Sequence, residues 1–156
     1  MKRAGLCLCL LVSAVFSGKI EGKNVPQPVR EKFEKGYPSI HKVEWKEKNG
    51  HFKAVFESGG SKISVFFEPS GKILKQETKV KAGDLPRSVQ KSIASAYPDL
   101  PIKKAKKIEK NGEIQYEATL KRNRKDKIKV TCEAGGKIIR EKESRKSDSK
   151  PVDEDD

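Results

Sequence analysis

One stretch of this sequence is written twice, and the duplication limits the fold more than any other feature. Residues 52–73 read FKAVFESGGSKISVFFEPSGKI, and residues 116–138 read YEATLKRNRKDKIKVTCEAGGKI. Phe52, Ala54 and Phe56 map onto Tyr116, Ala118 and Leu120 at an offset of 64. Ile63, Val65, Phe67, Glu68, Gly71 and Ile73 map onto Ile128, Val130, Cys132, Glu133, Gly136 and Ile138 at 65. Upstream, Asn49-Gly50 matches Asn111-Gly112 at 62, and Asn24-Val25-Pro26 matches Asp84-Leu85-Pro86 at 60. Offsets that grow only within turns are what insertion into loops produces, so one ancestral unit has been duplicated.

Each unit has a readable order. Val25, Val29, Phe33 and Tyr37 recur every four residues, as do Leu85, Val89, Ile93 and Tyr97. On a helix of 3.6 residues per turn that spacing keeps all four on one stripe. Pro26 suits a first turn, Asn24 is the candidate cap, and Pro38 disfavours helical geometry at Tyr37. A helix over about 26–36 follows. Beyond it, Val43 and Trp45 alternate with charged residues, and Asn49-Gly50 is a strong hairpin signal. Ser58-Gly59-Gly60 and Pro69-Ser70-Gly71 turn the chain twice more. The unit is one helix followed by a four-strand antiparallel meander, with repeats at 25–80 and 84–143.

A single helix over a small sheet makes a meagre core. Joining the two meanders edge to edge gives an α+β fold with one sheet of up to eight strands and both helices on one face. The other face carries Lys, Ser, Thr, Gln and Glu at the intervening positions and is expected to be wet. Phe66 is out of phase with Ile63, Val65 and Phe67, so it points to that uncovered face. Trp45 is the other aromatic assigned to the exposed surface.

The first 17 residues carry Lys2 and Arg3 and then an apolar run from Leu6 to Phe16, the pattern of a secretory signal peptide cleaved near Ser17. That run falls short of the ~20 residues a spanning helix needs. A secreted or periplasmic protein is expected, with no transmembrane segment after removal. Residues 18–24 read as a linker and 144–156 as a disordered charged tail. Without the signal segment only Cys132 remains, so no internal disulfide forms. Its inward strand position reads as a small buried apolar side chain.

The chain has 35 Lys and Arg against 22 Asp and Glu, a net charge of +13. Such a surface attracts acidic protein, anionic lipid, lipopolysaccharide or nucleic acid, and secretion makes nucleic acid the least fitting. The sharpest basic segments are Lys103, Lys104, Lys106 and Lys107, and Lys121, Arg122, Arg124 and Lys125. Neither interleaves aromatic residues, as sheets that stack nucleic-acid bases do. In a meander, the start of one strand and the loop after the next lie at the same end, so these segments are expected to form one positive patch. His41 and His51 lack a second ligand cluster, and the glycine pairs belong to hairpins. No catalytic residue, metal or cofactor is expected, and the chain is not read as an enzyme.

These motifs, namely VP or LP opening a helix, Tyr-Pro closing it, NG turns, a YEATL strand and E-x-x-G-K-I, resemble the PepSY-like family of small secreted bacterial proteins. The resemblance covers about residues 24–143. It implies a fold like that of beta-lactamase inhibitor protein, whose bare sheet face and hairpin loops grip an enzyme; it transfers no contact residue, and the disulfides of that inhibitor are absent. The expected function is therefore a non-enzymatic, inhibitor-like binding protein. Its uncovered face and loops, with Trp45, Phe66 and the basic segments, contact an acidic protein or envelope component. The alternatives are a sensor or carrier of a small or anionic ligand, and an electrostatic binder of anionic lipid or lipopolysaccharide.

Overall fold

The computed structural model describes residues 18–124 and 126–145; residues 1–17, expected to be a signal peptide, Lys125 and residues 146–156 lie outside the described residues. Nine antiparallel strands form one sheet in which spatial order equals chain order. They are β1 (Gly18–Ile20), β2 (Glu44–Lys48), β3 (His51–Ser58), β4 (Ser61–Phe67), β5 (Ile73–Val80), β6 (Ile102–Lys110), β7 (Glu113–Lys121), β8 (Asp126–Glu133) and β9 (Ile138–Arg145). Two helices, α1 (Gln27–Gly36) and α2 (Arg87–Ala96), precede β2 and β6.

The ninth strand comes from the segment expected to be a linker. Gly18 pairs with Glu47 and Ile20 with Trp45, and Ile20 packs against the first core, which is reason enough for these residues to be ordered. At the other end, β9 runs through Arg145, so Ser144 and Arg145 of the expected tail belong to the sheet.

The proline and tyrosine signals place the helices well, but the expected cap is elsewhere. Asn24 lies in a 3-10 turn, Gly22–Asn24, and Pro26 itself is the N-cap, without a side-chain hydrogen bond. Its extended φ/ψ of −52°/141° is matched by Pro86 at −52°/142°. At the other end the Tyr37 N–H donates to the Phe33 carbonyl, and the Tyr97 N–H to that of Ile93, both at 2.8 Å.

Each helix covers its own meander. Under α1, the ring of Phe33 meets Trp45 and Phe56 edge-on, each at 5.3 Å between centroids. Ala54, Val65 and Phe67 complete this core. Under α2, the core is Leu120, Ile128, Val130 and Cys132. Cys132 is fully buried, and burial together with Glu141 pushes its thiol pKa up. It behaves as the small apolar residue expected.

Gly71 and Gly136 lock helix to sheet in both repeats. Each closes a turn by donating its N–H to the carbonyl of Glu68 or Glu133 at 2.9 Å. Each has positive φ, +85° and +95°, and a Cβ there would lie 2.6 Å from the carbonyl oxygen of Pro28 or Ser88. Only glycine permits that approach of the turn to the helix backbone. The recurring E-x-x-G text is thus a helix-docking device.

The repeats join through β5 and β6, where Val80 pairs with Ala105 and packs into the second core. Three register shifts interrupt the ladders. Two occur at the same place in each repeat, at Phe66/Phe67 and Thr131/Cys132. The third, between Ile102 and Lys104, leaves Lys103 outside the pairing of β6 with β7.

Candidate binding surface

Strand alternation sends every second side chain of β2–β9 to the face without helices. Across the junction of the repeats this face is concave, an open trough of about 720 Å³. Ser64 and Thr119 supply short side chains at its floor, while long basic side chains rise around them. Nine cations line it: Lys62, Lys79, Lys103, Lys104, Lys106, Lys121, Arg124, Lys127 and Lys129. Only two carboxylates, Glu77 and Glu117, stand among them.

Both carboxylates are already engaged. Lys106 bridges Glu77 at 3.1 Å and Glu117 at 3.3 Å, Lys75 holds Glu77 at 2.6 Å, and Lys129 approaches Glu117 at 3.9 Å. Burial alone would raise the Glu77 pKa; the hydrogen bond and charge of Lys75, aided by Lys106, outweigh it and hold the carboxyl below the usual range. Among the described residues, no carboxylate lies within ion-pair distance of Lys103, Lys104, Lys121 or Lys127.

The strand register makes this excess unusual. Lys79 stands directly opposite Lys106, Lys121 opposite Lys127, and Lys129 opposite Lys142. Like charges facing each other across a ladder are destabilising.

The predicted residues divide in two. Lys103, Lys104, Lys106, Lys121 and Arg124 all line the trough. Lys107 is not with them: it falls on the helix-covered face, opposite Tyr116 and Thr78, paired with Glu109 at 2.7 Å. Arg122 pairs with Glu143 at 3.4 Å and does not line the trough. Lys125 lies outside the described residues.

Trp45 is corrected outright. It is 6% exposed and sits beneath α1 with Phe33 and Phe67, because the pairing of Trp45 with Ala54 places both on the core face. Phe66 does point to the uncovered face, next along β4 from Ser64, but it is 8% exposed. The ammonium groups of Lys53 and Lys75 lie over its ring, at 4.9 and 4.3 Å from the centroid. Burial, with repulsion from Lys46, Lys75 and Lys106, lowers the Lys53 pKa despite the opposing pull of Glu77. Phe66 thus organises a patch of lysines beside the trough rather than presenting a bare aromatic surface.

Sequence reading missed Lys62, Lys79, Lys127 and Lys129. Their outward parity was legible, but their convergence depends on the register of β5 against β6 and β8 against β7. His51 donates locally from Nδ1 to the Asn49 carbonyl at 3.2 Å. Among the described residues no group of three or more His, Cys, Asp or Glu side chains is arranged to hold a metal. Among the same residues no helix is long and apolar enough to cross a membrane.

Comparison with known proteins comes down on the same architecture. The family described as "Putative beta-lactamase-inhibitor-like, PepSY-like" matches residues 16–75 and 50–140. Among solved structures, a BLIP-like protein from Bacteroides fragilis NCTC 9343 is 22% identical with a TM-score of 0.70, over 80% of this chain and 91% of that one. A DUF2874 family protein from Bacteroides uniformis ATCC 8492 is 20% identical with a TM-score of 0.72, over 76% and 88%. A structure described as "putative periplasmic proteins" from Bacteroides eggerthii DSM 20697 is 18% identical with a TM-score of 0.72, over 76% and 88%. At these identities the likeness establishes the fold. No curated protein matches the sequence.

Proposed function

The chain belongs to the beta-lactamase-inhibitor-like, PepSY-like family, and from that premise we propose that it is a secreted or periplasmic, non-enzymatic binding protein whose cationic trough grips an acidic segment of a protein partner. One observation carries this reading: nine cations converge with lysine opposite lysine, a costly arrangement that an anionic occupant relieves. The role is inhibitor-like in kind, since the family and its BLIP-like relative are named for inhibitors. A periplasmic description of one structural relative supports the location.

The shape selects among anionic partners. A bilayer or lipopolysaccharide surface is broad, and a trough walled by long basic side chains meets it only at its rims. An extended peptide or a protruding loop enters the trough and reaches Lys104, Lys106 and Lys129 together. Encounter is steered by the whole positive face and screened over about 8 Å at physiological ionic strength.

The test is comparative capture from an envelope fraction. The chain and a Lys104→Glu/Lys129→Glu variant are the baits, and a Lys32→Glu/Lys91→Glu variant altered on the helices is the control. A protein retained by the chain and by the helix variant but lost by the trough variant supports the reading. Equal retention by all three, or binding only to anionic vesicles, overturns it.

A further inference from the structure

The uncovered face of the second repeat carries a feature that the first repeat lacks. Ile102 pairs with Leu120 and Lys104 with Thr119, so one step on β7 is matched by two on β6. Lys103 is the extra residue of a β-bulge. Ile102 and Ala105, on either side, pack into the second core. Strict alternation could not place both there; the bulge does, and it leaves Lys103 and Lys104 together on the bare face, where both line the trough. In the first repeat β2 pairs with β3 without a register shift.

The bulge completes a ring of cations around one hydroxyl. Thr119, half-buried at the trough floor, stands between Lys104 on β6 and Lys129 on β8, its direct partners across the two ladders. Neighbouring strands lie about 4.8 Å apart, so both lysine side chains are long enough to reach over Thr119. One pair further along, Lys121 faces Lys127. Glu117, two residues from Thr119 on β7, bounds the ring on the other side; Lys106 holds it at 3.3 Å and Lys129 approaches it at 3.9 Å. The matching row in the first repeat is Glu44, Val55 and Ser64, and there Glu57 faces Lys62. One backbone frame thus bears mixed charge in one copy and cations around a hydroxyl in the other.

We propose that this ring is a subsite for a dianionic phosphoryl group carried by the acidic segment that the trough grips. The proposal rests on the reading of the trough as an acid-binding surface and names the chemistry of its anchor.

Geometry favours a phosphoryl group over a carboxylate. A carboxylate offers two oxygens in one plane, whereas a phosphomonoester carries about −1.5 to −2 charges at neutral pH and three acceptor oxygens. Donors here converge from several sides: Thr119 from the floor, Lys104 and Lys129 from the flanks, and Lys103, Lys121 and Lys127 from one end. Lysine binds phosphate as a point charge and needs no fixed fork, which suits a ring of flexible side chains. A dianion among them also relieves the opposition of Lys121 and Lys127. Beyond the ring the trough continues past Lys106 to Lys79 and Lys62, where carboxylates flanking the phosphoryl group on an extended peptide find partners. Phosphates in a bilayer lie in one broad plane and do not reach a hydroxyl at the floor.

The experiment titrates the full chain into two fluorescein-labelled acidic peptides of one sequence, with phosphoserine or glutamate at the central position, read by anisotropy. The expected result is about tenfold tighter binding of the phosphopeptide, from its added charge and third oxygen. Thr119→Val keeps the β-branched shape and removes the hydroxyl, and Lys103→Ser removes the bulge lysine. Each is expected to shrink the preference to about threefold or less. Lys62→Ser, at the far end of the trough, is expected to weaken both peptides alike. Should Thr119→Val fail to fold by thermal unfolding, Lys121→Ser/Lys127→Ser, which removes a like-charge pair, carries the same expectation. Equal affinities of the unaltered chain for both peptides overturn the phosphoryl subsite while leaving the trough as an acid-binding surface. A preference undiminished in the ring variants overturns the assignment to this ring. Binding of neither peptide, or only of vesicles containing phosphatidate, overturns the trough reading and this inference with it.

Discussion

In the first repeat the space beneath the helix is filled by rings: Phe33, Trp45, Phe52, Phe56 and Phe67. In the second, Ile93, Ala105, Leu120, Ile128 and Cys132 share that space, with Tyr116 at its edge. The backbones nonetheless turn at matching angles, with Tyr37 at φ/ψ −137°/58° and Tyr97 at −138°/65°. Helix docking through Gly71 and Gly136 is also the same to 0.1 Å or so in its close approach. What the duplication holds constant is the geometry of helix on sheet. What it lets drift is the filling of the core and the decoration of the bare face, where Phe66 in one repeat corresponds to Thr131 in the other.

The largest test of that comparison is in the cores. Trp45→Ala is expected to cost about 3–5 kcal/mol, as aromatic truncations in packed cores do, measured by denaturant unfolding. If the loss is below about 1 kcal/mol, Trp45 is not the first core's keystone. Next, Gly71→Ala and Gly136→Ala are each expected to cost about 2–4 kcal/mol, from positive φ and a helix carbonyl that cannot move aside. Equal losses mean the device is shared; a tolerated substitution in one repeat means its helix docks less tightly than its twin.

Smaller effects probe the bare face. Glu77→Gln is expected to cost about 1–2 kcal/mol, because two lysines lose their charged acceptor. The wild-type contribution has a definite pH sign. The Glu77 carboxyl titrates below the usual range when folded, so as pH falls the unfolded chain takes up the proton first. The stabilisation is therefore complete above the ordinary carboxylate range and is lost as pH falls through the folded value. A variant whose deficit relative to wild type persists undiminished in acid contradicts this. Phe66→Leu keeps the apolar volume but removes the ring beneath Lys53 and Lys75, with an expected loss of about 0.5–1 kcal/mol in thermal unfolding. Smallest is Lys104→Ser, expected to lie within about 0.5 kcal/mol of wild type in stability while weakening acidic ligands. Together with Phe66→Leu it separates a face that holds the fold from one that binds.

The duplication made most of the fold legible, because alternation, four-residue spacing and turn glycines are local signals that two copies confirm in each other. The helices, the eight longer strands and the joining of two meanders were all readable from Val25 to Ile138. β1 was not, since three residues with one apolar side chain carry no periodicity; Ile20 is ordered by its neighbour Trp45. Trp45 itself was misplaced although its alternation with Val43 already marks one apolar side of the strand; its pairing with Ala54 sets that side beneath α1. The trough was half legible. Lys103, Lys104, Lys106, Lys121 and Arg124 stood out as runs, whereas Lys62, Lys79, Lys127 and Lys129 are scattered in sequence and meet only through strand register.

The order of the sheet has a kinetic consequence. Six of the eight neighbouring strand pairs are joined through a hairpin, and only β1–β2 and β5–β6 must wait for an intervening helix. Contacts of short sequence separation close quickly, so the chain is built to fold faster than sandwiches or barrels of similar size, whose pairings are remote. Each meander therefore forms hairpin by hairpin, with the helix-spanning β5–β6 closure as the step that unites them.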